Sequence, residues 1–458
     1  MDHHYGAPIV LTAPLTESID HAGFFIQMSL ASIPGWMEWV IDKKYPTWRA
    51  VPTTAEGRAG TAPAGLRVLE AVLAREFGGD QVAVCYPDQL PAFIGERTRV
   101  VGVSTHNPLG TTFAAGVYAS IFGSSREPVN ALYARRMFDS IRACRQQHHF
   151  AVILGGSGAW QIEETGTEAD FGIDTVVRGR AESADVVGLF RRALAGEPLP
   201  RKLDAAHPHD AGQLLVPQTR TSFGVVEMTT GCGRRCAFCQ PDLNPRISVP
   251  KASIMAAVRG NVAAGNHQIS LATEDMFVWR TDEAGLPFFV PNRSELLDLY
   301  RSIIDYPGVE QITLSHATIA PAIVDPDLIG ELSALLLDRS PIRLKAVSTH
   351  PEHRALAPLI GIETGSVRVA RQIMAGKALP FDIKDWPHIV LAGLETLNRH
   401  NWFPVCTLIV GSPGETDADS MATLDLLYEV ERRGLHCMWV PSIFTPLVKT
   451  RMEHGQGV

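Results

Sequence analysis

The sequence lacks several features that would assign a protein to a broad functional class. It has no excess of basic residues: 41 Lys and Arg stand against 49 Asp and Glu, and the net charge is −8. This balance argues against a protein that holds nucleic acid by its phosphates. No run of about 18 uncharged apolar residues is present, so no bilayer-spanning helix is expected. The first residues combine no basic region with an apolar run, so no secretory signal is expected either.

Cysteine is scarce and unevenly placed. The 458 residues include only seven cysteines, an odd number that disfavours a disulfide framework and predicts a reducing, cytoplasmic location. A hydrophobic content of 45% and a charged content of 20% are typical of a well-packed globular protein. The length predicts two domains.

The first 200 residues alternate short apolar runs with helical patterns. One helix is predicted over Leu66–Phe77, where apolar residues recur at three and four positions before two glycines. This alternation predicts an α/β domain with a doubly wound parallel sheet, in which ligands bind beyond the carboxyl ends of the strands. The predicted strands lie near residues 8–14, 81–86, 99–104, 150–154 and 174–177.

A second βα series follows a stretch without periodicity. Residues 201–221 are rich in proline, aspartate and histidine and are predicted to be a linker. Repeated βα units over residues 222–458 predict a full or partial parallel barrel. Its predicted strands lie near residues 224–228, 268–271, 311–314, 342–347, 357–362, 403–410 and 437–443.

Three of the seven cysteines stand together in Cys232-Gly-Arg-Arg-Cys236-Ala-Phe-Cys239. A structural zinc site needs four protein ligands, commonly as two separated pairs, and the other four cysteines do not form a second pair. Three thiolates on one loop suit a cubane iron–sulfur cluster that leaves one iron open for another ligand. Zinc remains the alternative at this point. The neighbouring Arg234 and Arg235 are candidates to offset the thiolate charge.

This motif, placed directly after the first strand of a βα series, resembles the signature of the radical S-adenosylmethionine (SAM) superfamily. The resemblance implies that Cys232, Cys236 and Cys239 bind a [4Fe–4S] cluster whose open iron is chelated by SAM. It also implies that the reduced cluster cleaves SAM to a 5′-deoxyadenosyl radical, which abstracts a hydrogen atom. The barrel is thereby identified as a partial radical SAM barrel.

Further stretches resemble the SAM-contacting segments of that superfamily in chain order. They are Ala272-Thr-Glu-Asp275, Gly361-Ile-Glu-Thr-Gly-Ser366 and Gly411-Ser-Pro-Gly-Glu-Thr416, together with the aromatic residue before the third cysteine. The first of them lacks the family's two glycines. The resemblance implies that SAM is contacted by Phe238, Thr273, Glu274, Asp275, Glu363, Gly365, Ser366 and Gly414.

Residues 1–200 resemble the Rossmann-like cobalamin-binding domain that precedes the barrel in one subgroup. The cobalt-ligating pattern Asp-x-His-x-x-Gly is absent, and Ser104-Thr-His-Asn-Pro-Leu-Gly110 replaces it. The resemblance nevertheless implies cobalamin as a third cofactor. Its implied contacts are Thr16, Glu17, Ser104, His106, Gly155, Gly156, Ser157, Trp160, Gly179 and Glu182.

These features predict a cobalamin-dependent methyltransferase that acts on an unactivated carbon. One alternative is a radical SAM enzyme that cyclises or couples carbons of a lipid or natural product without cobalamin. Another is an iron–sulfur electron-transfer or sensor protein. The expected partners are a small-molecule, lipid or peptide substrate and an electron donor such as a flavodoxin or ferredoxin. No nucleic acid is expected, because the balance is acidic and no basic domain is appended.

Overall fold

The computed structural model describes residues 6–20, 33–112, 115, 127–217, 219–281 and 286–454. The chain forms two compact units. Unit 1 comprises residues 1–224 and 259–266, and unit 2 comprises residues 225–258 and 267–458. In the described part of the chain, no helix is both long enough and apolar enough to cross a bilayer.

Unit 1 is built on a parallel sheet of six strands in the order β2-β1-β3-β4-β5-β6. The strands are β1 Ile9–Thr12, β2 Val82–Val84, β3 Val100–Ser104, β4 Ala151–Gly155, β5 Thr175–Arg178 and β6 Lys202–Asp204. The helices before the second unit are α1 Leu15–Ser18, α2 Glu38–Lys44, α3 Ala64–Phe77, α4 Leu90–Phe93, α5 Val129–Arg145, α6 Ala159–Thr165, α7 Glu168–Phe171 and α8 Ala184–Leu194.

Both faces of this sheet are covered, which explains why its strands are continuous apolar runs. Alternate residues of β1 enter different cores: Val10 packs with Phe138 of α5, whereas Ile9 and Leu11 pack with Phe190 of α8. The chain order reverses at β1, which lies between β2 and β3. The crevice beyond such a switch point is where open α/β sheets bind ligands. The loops after β1 and β3 therefore flank the expected ligand site of unit 1.

Unit 2 is an open arrangement of parallel strands, as predicted for a partial barrel. Its two sheets run β11-β10-β7 and β12-β13-β14-β15, and a short antiparallel pair joins β8 to β9. The strands are β7 Val225–Glu227, β8 Thr229–Thr230, β9 Ile247–Ser248, β10 Gln268–Ala272, β11 Gln311–Leu314, β12 His316–Ala317, β13 Leu359–Glu363, β14 Val405–Val410 and β15 Met438–Ile443. The helices are α9 Lys251–Ala263, α10 Arg293–Ile304, α11 Pro321–Val324, α12 Pro326–Leu336, α13 Val367–Met374, α14 Trp386–Arg399 and α15 Asp417–Arg432.

Two predictions from the sequence pattern are wrong in detail. Residues 342–347 alternate in polarity but form no strand; Leu344 instead donates its backbone N–H to the carbonyl of His353 at 2.9 Å. None of these six residues is fully buried. Within the described part of the chain, their apolar side chains therefore have no neighbouring strand against which to pack as part of a sheet. The stretch predicted as a linker, residues 201–221, begins with β6, which completes the sheet of unit 1.

Candidate active site

The cysteine loop follows β8 at the carboxyl end of β7. Gly231 has a φ of 67°, and a Cβ there would lie 2.4 Å from the carbonyl oxygen of Pro245. Only glycine therefore allows the chain to turn into this loop. Cys236 is buried, whereas Cys232 and Cys239 are half-buried. Burial, followed by the charges of Cys236 and other neighbours, raises the pKa of Cys239 to about 12. Metal binding must displace the proton of this thiol.

The three thiols of the cysteine loop lie near one another. Cys236 and Cys232 both influence the pKa of Cys239, so the three sulfurs share one region. Yet within the described residues no three His, Cys, Asp or Glu side chains converge tightly enough to hold one metal ion. In a cubane the three thiolates would bind three different irons, so they would not have to converge on one ion.

A mostly buried ion pair lies beside the cysteines. Lys377 Nζ is 2.6 Å from Glu363 Oε1 and also donates to the carbonyl oxygen of Gly361 at 2.9 Å. Burial opposes the charge of Lys377, but Glu363 and the nearby Cys236 raise the pKa of the ammonium group overall. The register of β13 against β14 shifts at Glu363, whose φ is 64°. Such bulges aim a side chain away from the regular strand direction.

Lys377 links two of the predicted SAM residues. Its ammonium lies 5.7 Å from the ring centroid of Phe238 and forms the ion pair with Glu363. The remaining carboxylate oxygen of Glu363 accepts from Thr407 Oγ1 at 3.2 Å. No motif pointed to Lys377, because it lies in a single 3₁₀ turn, Ala375–Ala378, outside every recognisable stretch. Its position became visible only from the folded chain.

The structure places three neighbouring residues that were predicted to contact SAM in different environments, namely Thr273, Glu274 and Asp275. Asp275 is fully buried, and its Oδ2 is 3.0 Å from the guanidinium of Arg234, which is 2% exposed. Its carboxylate also accepts from Thr318 and from the backbone N–H of Phe277. Asp275 is thus fully occupied by protein donors.

Glu274 differs from its neighbour. It is half-buried, and burial followed by the charge of Glu227 raises its pKa. Within the described residues its carboxylate makes no hydrogen bond or ion pair, so it is available to an incoming cation. Thr273 is buried, with its hydroxyl 2.7 Å from that of Thr229. Arg234, expected to balance thiolate charge, does lower the pKa of Cys232, although burial raises that pKa overall.

The other predicted SAM residues surround the carboxylate of Asp419 at the start of α15. Ser366 Oγ donates to Asp419 at 2.6 Å and also caps α13. A Cβ on Gly365 would lie 2.6 Å from the carbonyl oxygen of Ala422, so close packing against α15 already requires this glycine. Gly414 lies in the turn before α15, where its carbonyl accepts from Arg368 at 2.7 Å. This group is held together by protein contacts alone.

Replacing Asp419 with Asn is expected to destabilise unit 2 in a pH-dependent way. The carboxylate accepts hydrogen bonds from Ser366, Arg368 and Thr416, with Arg368 the largest influence, and these bonds lower its pKa. Because the folded pKa is depressed, this stability is present above the unfolded pKa of about 4 and is lost as the pH falls below it. We expect a loss of about 2 kcal/mol at pH 7 that shrinks at pH 3, measured by thermal unfolding. An equal loss at both pH values would contradict this account.

In unit 1 the loops after β1 and β3 are joined by Glu17. This side chain is 7% exposed, and its Oε1 accepts from Thr105 Oγ1 and the His106 backbone N–H at 2.9 Å each. Asn130 Nδ2 donates to the same oxygen at 3.1 Å, and Thr16 donates to the amide oxygen of Asn130. Thr16 and Glu17 therefore shape the crevice from within.

The glycine-rich loop after β4 packs directly on the loop after β3. A Cβ on Gly156 would lie 2.5 Å from the carbonyl oxygen of Thr105, whereas one on Gly155 would meet no atom within 4 Å. Ser157 Oγ is 2.8 Å from Nδ1 of the exposed His106. Ser104, His106, Gly155, Gly156 and Ser157 are thus brought to one edge of the sheet.

The other three residues predicted to contact cobalamin make contacts different from those of the loops after β3 and β4. Glu182 is paired with Arg180 at 2.8 Å, with its side chain 2% exposed. Gly179 has a φ of 111°, and a Cβ there would lie 2.3 Å from the carbonyl oxygen of Ala205. Trp160 is half-buried in the first turn of α6. Internal packing is sufficient to explain Gly179 and Glu182.

Alanine substitutions at Gly155, the last residue of β4, and at Gly158, in the loop that follows, should have different effects on stability, because only Gly158 is closely packed. A Cβ on Gly158 would lie 2.2 Å from the carbonyl oxygen of His106, so Gly158→Ala should cost about 1–3 kcal/mol of unfolding free energy. Gly155→Ala should change it by less than about 0.5 kcal/mol, because the site is open. Urea unfolding of the ligand-free protein measures both. Equal effects would mean that the two loops do not pack as described.

Comparison with known proteins supports the assignment of the fold. No protein-family model matches the sequence. The tRNA-2-methylthio-N(6)-dimethylallyladenosine synthase of Sorangium cellulosum is 27% identical over 310 residues, which cover 64% of this chain and 57% of the relative. The ribosomal protein uS12 methylthiotransferase RimO of Shewanella putrefaciens is 25% identical over 251 residues, 50% of this chain and 45% of the relative. The chain thus spans about half the length of the curated relatives that it matches.

Solved structures of TsrM from Kitasatospora setae match over nearly the whole chain. This radical S-adenosylmethionine methyltransferase, with cobalamin and [4Fe-4S] cluster bound, aligns with a TM-score of 0.58 at 14% identity. That alignment covers 98% of this chain and 74% of TsrM. With tryptophan substrate and the SAM analog aza-SAM bound, TsrM gives a TM-score of 0.59 at 15% identity, covering 75% of its chain. The predicted α/β fold is therefore confirmed, and the chain is similar in fold to a radical SAM methyltransferase and in sequence to two methylthiotransferases.

Proposed function

We propose that this relative of radical SAM enzymes is a cobalamin-dependent methyltransferase that acts on an unactivated carbon of a small molecule. Unit 2 would hold a [4Fe–4S] cluster through Cys232, Cys236 and Cys239, and SAM beside it. Unit 1 would hold cobalamin in the crevice beyond β1 and β3. The observation that carries the proposal is the cysteine loop at the carboxyl end of β7, with the Lys377–Glu363 pair beside it.

The residues around the cysteines fit the groups that SAM presents. Glu274 offers a carboxylate without a protein partner among the described residues, which suits an ammonium group. Lys377 offers a mostly buried cation, which suits a carboxylate, and Phe238 offers a ring face close by. A bound cluster would supply one electron for the cleavage of SAM, and the chain's own residues would orient SAM for that cleavage. We assign Thr273 and Asp275 to supporting Glu274 and not to direct contact.

In unit 1 the open space at Gly155 suits close approach of a flat macrocycle. Ser157 orients the exposed ring of His106 through Nδ1, which leaves Nε2 directed elsewhere. Bound cobalamin would supply methyl transfer, which a carbon without an acidic proton cannot obtain by nucleophilic attack on SAM. Glu17 would keep the crevice in shape, because it holds the loops after β1 and β3 together.

Anaerobic reconstitution with iron and sulfide provides the test. We expect about four irons per chain, 5′-deoxyadenosine on reduction with SAM, and corrinoid absorption after incubation with cobalamin. Transfer of labelled methyl groups from SAM to candidate metabolites would identify the substrate, with tryptophan as the first probe because TsrM was solved with it. Cleavage of SAM without corrinoid binding would favour radical cyclisation or carbon–carbon coupling. Iron without any cleavage of SAM would favour an electron-transfer or sensor protein.

A second candidate is methylthio transfer, which the curated relatives favour. That reaction needs a source of sulfur in addition to a methyl group. The cysteines of unit 1 are Cys85 and Cys144, which lie in the apolar core with thiol pKa values raised by burial. They therefore offer no accessible sulfur chemistry in unit 1. Mass spectrometry of the product would distinguish the two, because a methylthio group adds one sulfur.

A further inference from the structure

A cleft lined by several arginines borders the cysteine loop of unit 2. Its volume is about 530 Å³, and its lining includes Arg234, Arg235, Arg246, Arg371, Arg451 and Phe289. None of the described residues that line it is acidic. Arg235, Arg371 and Arg451 are exposed and Arg246 is half-buried, whereas Arg234 is buried and already paired with Asp275. A chain with a net charge of −8 thus places three exposed arginines together. We call this site the arginine cleft.

One wall of the arginine cleft is the cysteine loop itself. Arg246 Nη1 donates to the carbonyl oxygen of Cys232 at 3.4 Å. Arg451 donates to the carbonyl oxygen of Arg235, the residue before Cys236. The cleft therefore borders the backbone of the loop that carries the three thiols. A carrier that docks there would therefore face the loop predicted to hold the cluster.

The cleft combines charge with apolar surface. Arg234 stacks over the ring of Phe289, with 4.2 Å between guanidinium and centroid. Leu286 lines the cleft and is 41% exposed, and Phe288 and Val290 on the same segment are 55% and 40% exposed. Arginine and aromatic side chains are enriched in protein interfaces. A compact basic centre with an apolar rim suits a folded acidic protein better than the extended backbone of a nucleic acid.

We propose that the arginine cleft is the docking site of an acidic one-electron carrier protein. This inference rests on the proposed function, because only a redox cluster would need such a partner. In the step, the carrier is oxidised by one electron and the cluster is reduced by one. That electron would then cleave the bond between sulfur and the 5′ carbon of SAM to give methionine and the 5′-deoxyadenosyl radical, and no atom would cross the interface.

Arg371 allows a charge to be removed without losing any contact to the cysteine loop, whereas Arg451→Gln also removes the hydrogen bond to the carbonyl oxygen of Arg235. Arg371 is exposed on α13 and makes no hydrogen bond or ion pair with the described residues. The charge of Arg371 contributes to lowering the pKa of Asp382, but the carboxylate of Asp382 is already paired with Lys384 at 3.3 Å. Arg399, exposed on α14 of the same unit, is a matched control that changes the net charge equally.

The experiment uses the full reconstituted chain and a flavodoxin of net negative charge. Titration calorimetry would measure flavodoxin binding to the wild type, Arg371→Gln, Arg451→Gln, the double variant and Arg399→Gln. We expect the Kd to rise about fivefold for each cleft charge removed. This difference in Kd between variant and wild type should shrink as salt increases from about 0.02 M to about 0.3 M. Arg371→Lys should retain binding, because it keeps the charge.

Activity gives a second readout. Formation of 5′-deoxyadenosine driven by reduced flavodoxin should fall in Arg371→Gln, whereas formation driven by the small cation reduced methyl viologen should stay within about twofold in that variant. Unchanged flavodoxin binding in both single variants and the double variant would overturn the proposal, as would tRNA binding to these arginines in place of flavodoxin. If methyl viologen yields no 5′-deoxyadenosine from the wild type, the proposed function fails instead. The calorimetric result then still reports on the cleft by itself.

Discussion

Replacing Cys236 with alanine is expected to abolish binding of the iron–sulfur cluster and, with it, cleavage of SAM. Cys236 is the central and most buried of the three thiols, and no fourth cysteine belongs to this loop. Two thiolates cannot hold a cubane that already lacks a fourth protein ligand. We expect iron to fall from about four per chain to less than about one, and 5′-deoxyadenosine formation to fall at least about a hundredfold.

Iron analysis, together with electron paramagnetic resonance of the reduced protein, would check this expectation. Cys144→Ala is the matched control, because Cys144 is also buried but lies in the apolar core of unit 1. That variant should keep its iron. Full iron content in Cys236→Ala would show that the cluster is held elsewhere. The assignment of the cysteine loop would then be wrong.

Replacing Asp275 with alanine is expected to destabilise unit 2 by about 3–5 kcal/mol even without any ligand. The side chain of Arg234 is 1% exposed, and its charge would be left buried without its carboxylate. Thr318 and the Phe277 backbone N–H would lose an acceptor as well. Urea unfolding of the cluster-free protein measures the loss.

Asp298→Ala is the control, because that carboxylate is exposed and pairs with Lys251 at the surface. Its cost should stay below about 1 kcal/mol. Combining Arg234→Met with Asp275→Leu should recover part of the stability, because no unpaired charge remains. Unchanged stability with weakened SAM binding in Asp275→Ala would instead favour the direct contact that the resemblance implied.

Several parts of the fold could be predicted because local patterns are sufficient for them. The buried strands of unit 1 are continuous apolar runs, and α3 has a helical apolar repeat, so both are recognisable without tertiary information. Residues 342–347 show the opposite case. Their alternation resembles a strand, but whether it becomes one depends on a neighbouring edge that the sequence pattern does not reveal.

By itself the sequence determined the α/β class and the grouping of three cysteines on one loop, because both depend on residues close together in the chain. Only the tertiary structure decided which charges those cysteines meet. Lys377 reaches Glu363 across 14 residues, and Arg234 reaches Asp275 across 41. Burial of each pair depends on how the strands and loops pack, and no local pattern encodes that packing. Packing also distinguishes the two neighbouring carboxylates. Asp275 is bonded to protein donors, whereas Glu274 is left available to a ligand.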